Sequence, residues 1–232
     1  MALSPSVKKI LKKIKNFSLV LIVLQFAYII LLKWVDPPIT ITQLGSVFQG
    51  YRLNRDYVPM KMISKHARLA VMASEDQLFP DHDGFDWTSI KKAMKYNKKK
   101  PNRVRGASTI SQQVAKNVFL WQGRSWVRKG LEVYFTFMIE TFWSKERILE
   151  VYLNVAEMGK GIFGIEAASQ KYFKKTAKKL TRVEAAQVAA ILPNPKKYSI
   201  KPLSNYVQRR ANWIQDQMNN LETDADVAAL LD

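Results

Sequence analysis

Three stretches of the chain decide its interpretation, and the first is Glu75-Asp76-Gln-Leu-Phe79-Pro-Asp-His82-Asp-Gly84-Phe-Asp86. The second is Gly106-Ala-Ser-Thr-Ile-Ser-Gln-Gln-Val-Ala-Lys-Asn117, and the third is Arg128-Lys-Gly-Leu-Glu132. Two carboxylates, Glu75 and Glu132, stand on either side of a segment rich in hydroxyl, amide and cationic side chains. A site built from these stretches combines acidic groups with cations.

Helical periodicity surrounds the first two motifs. Apolar residues from Ile63 to Ser74 keep helical spacing, which places Glu75 at or just past the C-terminus of a helix. The dipole of a helix disfavours negative charge there and therefore raises the pKa of a carboxyl. Residues 108–120 predict an amphipathic helix with Thr109, Gln113 and Lys116 on its polar face.

The third motif lies in residues 127–143, which are so apolar that their helix is expected in the core. Glu132 is then a buried or half-buried carboxylate, and such a group needs partners. Arg128 lies four residues before it and Lys129 three, so both cations are expected on the same helical face. Further helices are predicted at 145–154, 165–173, 181–192 and 207–219. Because no alternating strand pattern of any length appears, the predicted fold class is mostly α.

The N-terminal segment carries the membrane signal. Residues 17–35 are predominantly apolar with a single charge, Lys33, and predict one transmembrane helix. Five lysines and no acidic residue precede it, so the positive-inside rule predicts a cytoplasmic tail at 1–16 and a catalytic domain outside. The sequence after Lys33 offers no small-residue cleavage site, which favours an uncleaved signal anchor over a signal peptide. A polar, turn-rich connector is expected at 36–60, followed by the domain at 61–232.

The formal net charge of +18 predicts an anionic partner. Basic side chains concentrate between Lys91 and Arg105, a density that attracts the phosphates of nucleic acid or of lipid headgroups. The predicted topology favours the membrane bilayer and excludes nucleic acid; a solvated basic loop is the simpler alternative. Two histidines and no cysteines argue against a transition-metal site.

Carboxylates and cations in these positions suit glycosyl transfer from a diphosphate-linked sugar. Such a transfer needs a base for the attacking hydroxyl and positive charge on the departing diphosphate. A general acid is dispensable because the diphosphate is already a good leaving group. Lys116, Arg128 and Lys129 are the cations within the motifs, and cations bind phosphate through strong charge-assisted hydrogen bonds.

In this order and behind a membrane segment, the three motifs resemble those of the peptidoglycan glycosyltransferases of glycosyltransferase family 51, which polymerise lipid II. The resemblance covers roughly Met72 to Ser199 and points to the monofunctional, membrane-anchored type of a Gram-negative envelope. It implies a lysozyme-like glycosyltransferase domain with two lobes, sensitivity to moenomycin, and a place in the inner membrane with the catalytic domain in the periplasm.

The resemblance also implies roles for individual residues. Glu75 is the base that deprotonates the 4-hydroxyl of the acceptor lipid II, while the growing glycan strand on undecaprenyl diphosphate is the donor, so that inversion gives a β-1,4 linkage. Glu132 is the second catalytic glutamate, and Lys116, Arg128 and Lys129 hold the diphosphate. The other cleft positions that match are Asp76, Phe79, His82, Thr109, Gln113 and Asn117.

Two other functions stay open from the sequence. A lytic enzyme that cleaves the same polymer shares the lysozyme-like fold, although it gives the cations no task; a non-catalytic scaffold among cell-wall synthesis and division proteins is the other. A transpeptidase is not expected, because Ser89-Ile-Lys-Lys92 has no K-T-G partner. No cofactor is obligatory, but a divalent cation, Mg²⁺ or Mn²⁺, at the diphosphate is compatible with the way such ions bridge carboxylates and phosphates.

Overall fold

The computed structural model describes residues 4–102, 104–123 and 125–231. The described chain is mostly helical, which confirms the predicted fold class. It divides into two compact units, one ending at Pro37 and the other beginning at Pro38. Arg103, part of the basic segment noted in the sequence, lies outside the described residues.

The first unit is dominated by one long helix, α1, at Pro5–Leu31, which begins where the Ser4 side chain accepts a hydrogen bond from the backbone of Val7. Residues Ser6–Leu31 are long and apolar enough to cross a membrane, by length and composition. The apolar span and the lysines that precede it belong to the same helix, which ends before Lys33. Residues 32–35 of the predicted span of 17–35 follow the end of this helix.

The second unit contains ten helices and a small sheet within the part of the chain that is described. The helices are α2 Ile41–Phe48, α3 Lys65–Glu75, α4 Trp87–Lys99, α5 Ile110–Phe119, α6 Trp126–Phe142, α7 Lys145–Val155, α8 Ile165–Phe173, α9 Arg182–Ile191, α10 Asn205–Leu221 and α11 Ala225–Ala229. The strands are β1 Asn54–Arg55, β2 Glu157–Gly159 and β3 Ile162–Phe163. In the sheet, β3 lies between the other two, parallel to β1 and antiparallel to β2.

Short polar side chains set where most of these helices begin. Ser64, Thr109, Ser125 and Thr181 each accept a hydrogen bond from the third residue of the helix that follows. Thr109 and Thr181 complete reciprocal capping boxes with a glutamine or glutamate side chain, which satisfies two backbone donors at once. These caps fix the entry points of α3, α5, α6 and α9, the helices on which the core depends.

Two helical layers form the core. In one, α5 packs against α6 and α7, and in the other α3 packs against α9 and α10. Both α3 and α5 bury most of their residues, including Ala70 and Met72 on α3 and Ile110, Val114 and Ala115 on α5. A side chain projecting from the end of either helix is therefore held by a rigid support.

Three segments depart from the sequence-based expectations. The expected turn-rich connector contains α2, which opens with a capping box at Thr40, and strand β1, so the expectation of turns was wrong there. The lysines from Lys91 to Lys99 lie in the helix α4, whereas Lys100 and Arg105 follow it outside any helix. The last helix is longer than predicted, and α11 follows it in the acidic tail. The short strands gave no sequence signal because an alternating pattern needs more than two or three residues.

Candidate active site

A cavity with a volume of about 780 Å³ is lined by Glu75. Its walls come from the end of α3, from α4, from residues 105–109, from α5 and from α10. Glu75 is the last residue of α3, as the sequence predicts, and its carboxyl group is half-buried. The cavity therefore gives a ligand access to a carboxyl that water solvates poorly.

The environment of Glu75 favours the protonated carboxyl overall, although some neighbouring groups stabilise the carboxylate. Burial raises the pKa of the Glu75 carboxyl, and the neighbouring charge of Asp76 acts in the same direction. The Gln113 amide opposes this by donating a hydrogen bond of 2.9 Å to Oε2, as do the positive charges of Arg210 and Lys116. A carboxyl with a raised pKa is a stronger base than an ordinary one.

The side chain of Gln113 is oriented by a hydrogen bond from Tyr152. The Tyr152 hydroxyl, fully buried on α7, donates a hydrogen bond of 3.4 Å to the Oε1 atom of Gln113. Burial, together with the charges of Glu75 and Asp76, raises the pKa of Tyr152 well above its ordinary value, so the phenol keeps its proton. The amide oxygen of Gln113 thus faces the phenol, and its NH₂ group faces Glu75.

Asp76 connects three elements. Its carboxylate accepts a hydrogen bond of 3.0 Å from the backbone N–H of Ile110, the first residue of α5, and another of 3.0 Å from Nε2 of His82. The His82 Nδ1 atom accepts from the backbone N–H of Gly84 at 3.1 Å. Burial opposes the charged form of His82, but the hydrogen bond and charge of Asp76 outweigh it and raise the pKa of the imidazole. Asp76 and His82 therefore fix the loop after Glu75 and the start of α5 in position.

Gly84 is held where no side chain fits. Its φ of 86° is in the left-handed region, and a Cβ atom there would lie 2.7 Å from Cγ2 of Thr136 and 2.9 Å from Cγ of Glu140. The hydroxyl of Thr109 donates a hydrogen bond of 2.7 Å to the Gly84 carbonyl. The loop after Glu75 is thereby fixed against both α5 and α6.

The second carboxylate lies on α6 with the two cations that the spacing predicts. Glu132 is buried, and its Oε2 accepts a hydrogen bond of 2.7 Å from Nη1 of Arg128. Its Oε1 is bonded to the ammonium of Lys129, which is partly exposed. Arg128 is also buried, and its Nε atom has no hydrogen-bond partner among the described residues. Glu132 therefore holds the guanidinium while one of its donors stays unsatisfied.

The negative charges of Glu75 and Glu132 both act on the ammonium of Lys116. Lys116 is half-buried one turn after Gln113 on α5, and its side chain makes no hydrogen bond or ion pair within the described chain. Burial lowers the pKa of its ammonium, while the charges of Glu132 and Glu75 oppose that shift. A half-buried cation of this kind is poised to bind an anion.

Phe79 and Asn117, the remaining candidates from the sequence, are both buried. Phe79 is fully buried beneath the Lys145 ammonium, which lies 4.8 Å from its ring centre. Asn117 is buried, and its Oδ1 atom accepts only a long hydrogen bond of 3.5 Å from Gln122. Phe79 therefore supports the loop from within, whereas Asn117 keeps polar atoms available next to Lys116.

Arg210 is a cavity residue that the sequence did not indicate. It comes from α10, stacks its guanidinium 4.0 Å from the ring centre of Trp213, and donates a hydrogen bond of 3.3 Å to the carbonyl of Ser74. Its charge lowers the pKa of Glu75. An arginine in a helix remote from the motifs carries no local sequence signal; the basic pair Arg209-Arg210 was the one available hint.

Comparison with known proteins identifies the family of the chain. The transglycosylase family matches residues 41–219. The biosynthetic peptidoglycan transglycosylase of Mannheimia succiniciproducens is 60% identical over 171 residues, which cover 74% of this chain and 70% of that protein. Those of Escherichia coli strain K12 and Shigella boydii serotype 4 are each 59% identical over 171 residues, covering 74% of this chain and 71% of theirs.

The chain belongs to the transglycosylase family. It is a peptidoglycan glycosyltransferase, and its activity is the polymerisation of peptidoglycan glycan, which confirms the resemblance seen in the motifs. The family match begins at Ile41, the first residue of α2, and so includes the helix found in the expected connector. Within the described residues of this transglycosylase, no group of three or more histidine, aspartate or glutamate side chains is arranged to hold a metal ion.

Replacing Gly84 by alanine is expected to lower the free energy of unfolding by about 2 to 4 kcal/mol, because the new methyl group both overpacks α6 and strains the backbone. Denaturant unfolding monitored by circular dichroism measures the loss. Gly130→Ala is the matched control: it lies within α6 with no atom near the added Cβ, so a stabilising change of up to about 1 kcal/mol is expected. Equal stability of Gly84→Ala and the parent protein would contradict the assigned constraint.

Proposed function

We propose that Glu75 is the general base of lipid II polymerisation. In this reaction the 4-hydroxyl of the acceptor lipid II gives its proton to Glu75 and attacks the anomeric carbon of the donor glycan. The undecaprenyl diphosphate departs from the opposite face, and the new β-1,4 bond has inverted configuration. The observation that carries the proposal is a half-buried carboxyl with a raised pKa, open to the main cavity and free of any direct ion pair in the described chain.

The departing diphosphate is bound by Lys116, Arg128 and Lys129. Lys116 has no carboxylate of its own among the described residues, and Arg128 retains an unused Nε donor, so both offer positive charge to a ligand. Glu132 pairs with Arg128 and Lys129 and holds their side chains in place. Such fixed cations stabilise a leaving diphosphate as charge develops on it.

The other cleft residues position these groups. Gln113 contacts Glu75 directly, Asp76, His82 and Thr109 fix the loop and the start of α5, and Asn117 offers a polar group next to Lys116. Phe79 fills the space beneath the loop. No cofactor is needed for this chemistry; a Mg²⁺ or Mn²⁺ ion, where used, binds chiefly to the diphosphate oxygens, since such ions commonly join carboxylates to substrate phosphates.

We further infer a single-pass inner-membrane protein, with helix α1 as the anchor, the N-terminus in the cytoplasm and the glycosyltransferase domain in the periplasm. The lysines at the start of α1 and the absence of acidic residues before Asp36 support this orientation. Confinement to the bilayer keeps enzyme and lipid-linked substrate on one surface and raises their effective concentration. Other cell-wall synthesis and division proteins are expected partners.

A lytic enzyme is the competing function, and the cations argue against it. Cleavage of a glycan releases no diphosphate, so Lys116 and the unused donor of Arg128 have no purpose in it. Labelled lipid II, incubated with the purified protein and resolved on a gel, distinguishes the two: a polymerase yields long strands, and a lytic enzyme yields none.

Glu75→Gln is expected to reduce polymerisation by about 10² to 10⁴-fold, because the amide keeps the size of the side chain but accepts no proton. Initial rates with labelled lipid II give the measurement. Glu146→Gln, an exposed glutamate in the first turn of α7, is the control and should retain full activity. Activity of Glu75→Gln within a few-fold of the parent enzyme would remove Glu75 from its role as base.

Arg210→Met is expected to shift the acidic limb of the pH profile of kcat/KM to higher pH. The base must be deprotonated, and activity is lost as the pH falls through its pKa. Because Arg210 lowers that pKa, its removal raises it further. Arg209→Met removes the same charge from an exposed neighbouring position and should leave the profile unchanged. Identical shifts in both variants would show that only net charge matters.

Lys116→Ala is expected to weaken the binding of a phosphoglycolipid inhibitor such as moenomycin by about one to two decades, since a contact to a charged group contributes roughly 1.5 to 3 kcal/mol. Lys116→Arg should restore part of the affinity. Lys160→Ala, at an exposed turn, controls for charge. Normal inhibitor affinity in Lys116→Ala, combined with weaker binding to lipid-free glycan, would favour the lytic function.

A further inference from the structure

A second depression, separate from the cavity at Glu75, lies at the other end of α3 and has a volume of about 490 Å³. Its basic lining residues are Lys61, Lys65, Arg68, Lys178, Lys179 and Arg182. No acidic side chain lines it within the described chain. None of its residues belongs to the motifs or to the diphosphate site, so the known activity does not account for this concentration of charge.

The four lysines of this basic pocket have no recorded partner. Arg182 is paired with Glu222 and Asn219, and Arg68 donates to the carbonyl of Leu230. The other four basic residues, Lys61, Lys65, Lys178 and Lys179, make no ion pair or side-chain hydrogen bond within the described residues. Four cations gathered around one concave surface repel one another, and an anion between them would relieve that repulsion.

Two further features lie at the same pocket. Helices α3 and α9 both begin there, at the caps Ser64 and Thr181, and the N-terminus of a helix attracts anions. The Nδ1 atom of His66 is shielded from solvent and has no hydrogen-bond partner among the described residues. Burial and the charges of Arg182 and Lys65 lower the pKa of His66, against an opposing effect of Glu222.

We propose that this basic pocket binds a ligand carrying two or more phosphate groups. Its volume exceeds that of a single phosphate several-fold, and the unpaired lysines approach it from two elements, the start of α3 and the turn before α9. Basic pockets of this kind accept phosphate headgroups of lipids as well as soluble phosphates. The site is independent of the proposed diphosphate site on α5 and α6, and its test does not depend on the reaction.

His66 reports on the pocket, because the chain has only two histidines and the other, His82, lies near Glu75. The full chain, labelled at histidine and placed in nanodiscs of neutral lipid, is titrated with inorganic pyrophosphate at constant ionic strength and followed by NMR. A saturable shift of the His66 ring signals and a rise in the pKa of His66 are expected. The same shift in nanodiscs of anionic phospholipid without pyrophosphate identifies a lipid headgroup as the ligand; a shift with pyrophosphate alone identifies a soluble one.

Matched variants distinguish a specific binding site from a general effect of positive charge. Lys178→Ala/Lys179→Ala should weaken the binding reported by His66 by about tenfold or more. Lys171→Ala/Lys197→Ala removes two exposed lysines elsewhere and should change it by less than about twofold. All four positions are exposed, so melting temperatures should stay close to that of the parent protein. No response of His66 to either probe, or an equal loss in both double variants, would overturn the proposal.

Discussion

The buried carboxylate of Asp76 is the interaction on which the active site depends. It follows the last residue of α3 and accepts hydrogen bonds from the first N–H of α5 and from His82. Two helices that bury most of their residues therefore meet at one side chain. Since Glu75 precedes Asp76 and Gln113 lies one turn into α5, the same contact sets the distance between the base and the amide that holds it. Loss of Asp76 would separate these groups as well as leave buried donors without a partner.

The two glutamates of the site differ in chemical behaviour because their surroundings differ. Glu75 meets an amide and more distant cations in a poorly solvated cavity, conditions under which a carboxyl takes up and releases a proton readily. Glu132 meets Arg128 and Lys129 at hydrogen-bonding distance and is almost completely buried. A carboxylate paired in this way serves as a fixed counter-charge that keeps flexible cations in one arrangement.

Local relations were predictable from the sequence, and remote ones were not. The position of Glu75 at a helix end and the grouping of Glu132 with Arg128 and Lys129 follow from spacings of a few residues along one helix. Arg210 and Ser74 are 136 positions apart, so only the folded chain brings them together. Helix α4 was not predicted because its signal is weak: it buries no residue, and Ile90, Ala93 and Tyr96 form only a short, half-buried stripe among lysines. The resemblance to a known family supplied the roles of the residues, which spacing alone does not give.

The crowding around Gly84 also limits which substitutions this enzyme can accumulate during evolution. A side chain at that position would collide with Thr136 and Glu140, and Glu140 in turn bonds Ser111 and Lys145. Any substitution at Gly84 therefore displaces Thr136 or Glu140 and lowers the stability of the fold. Such a change is disfavoured as a single step, whereas the exposed lysines of α4 can change one at a time. Resistance to an inhibitor that occupies the cavity is accordingly expected to arise along its α4 wall before it arises in the loop at Gly84.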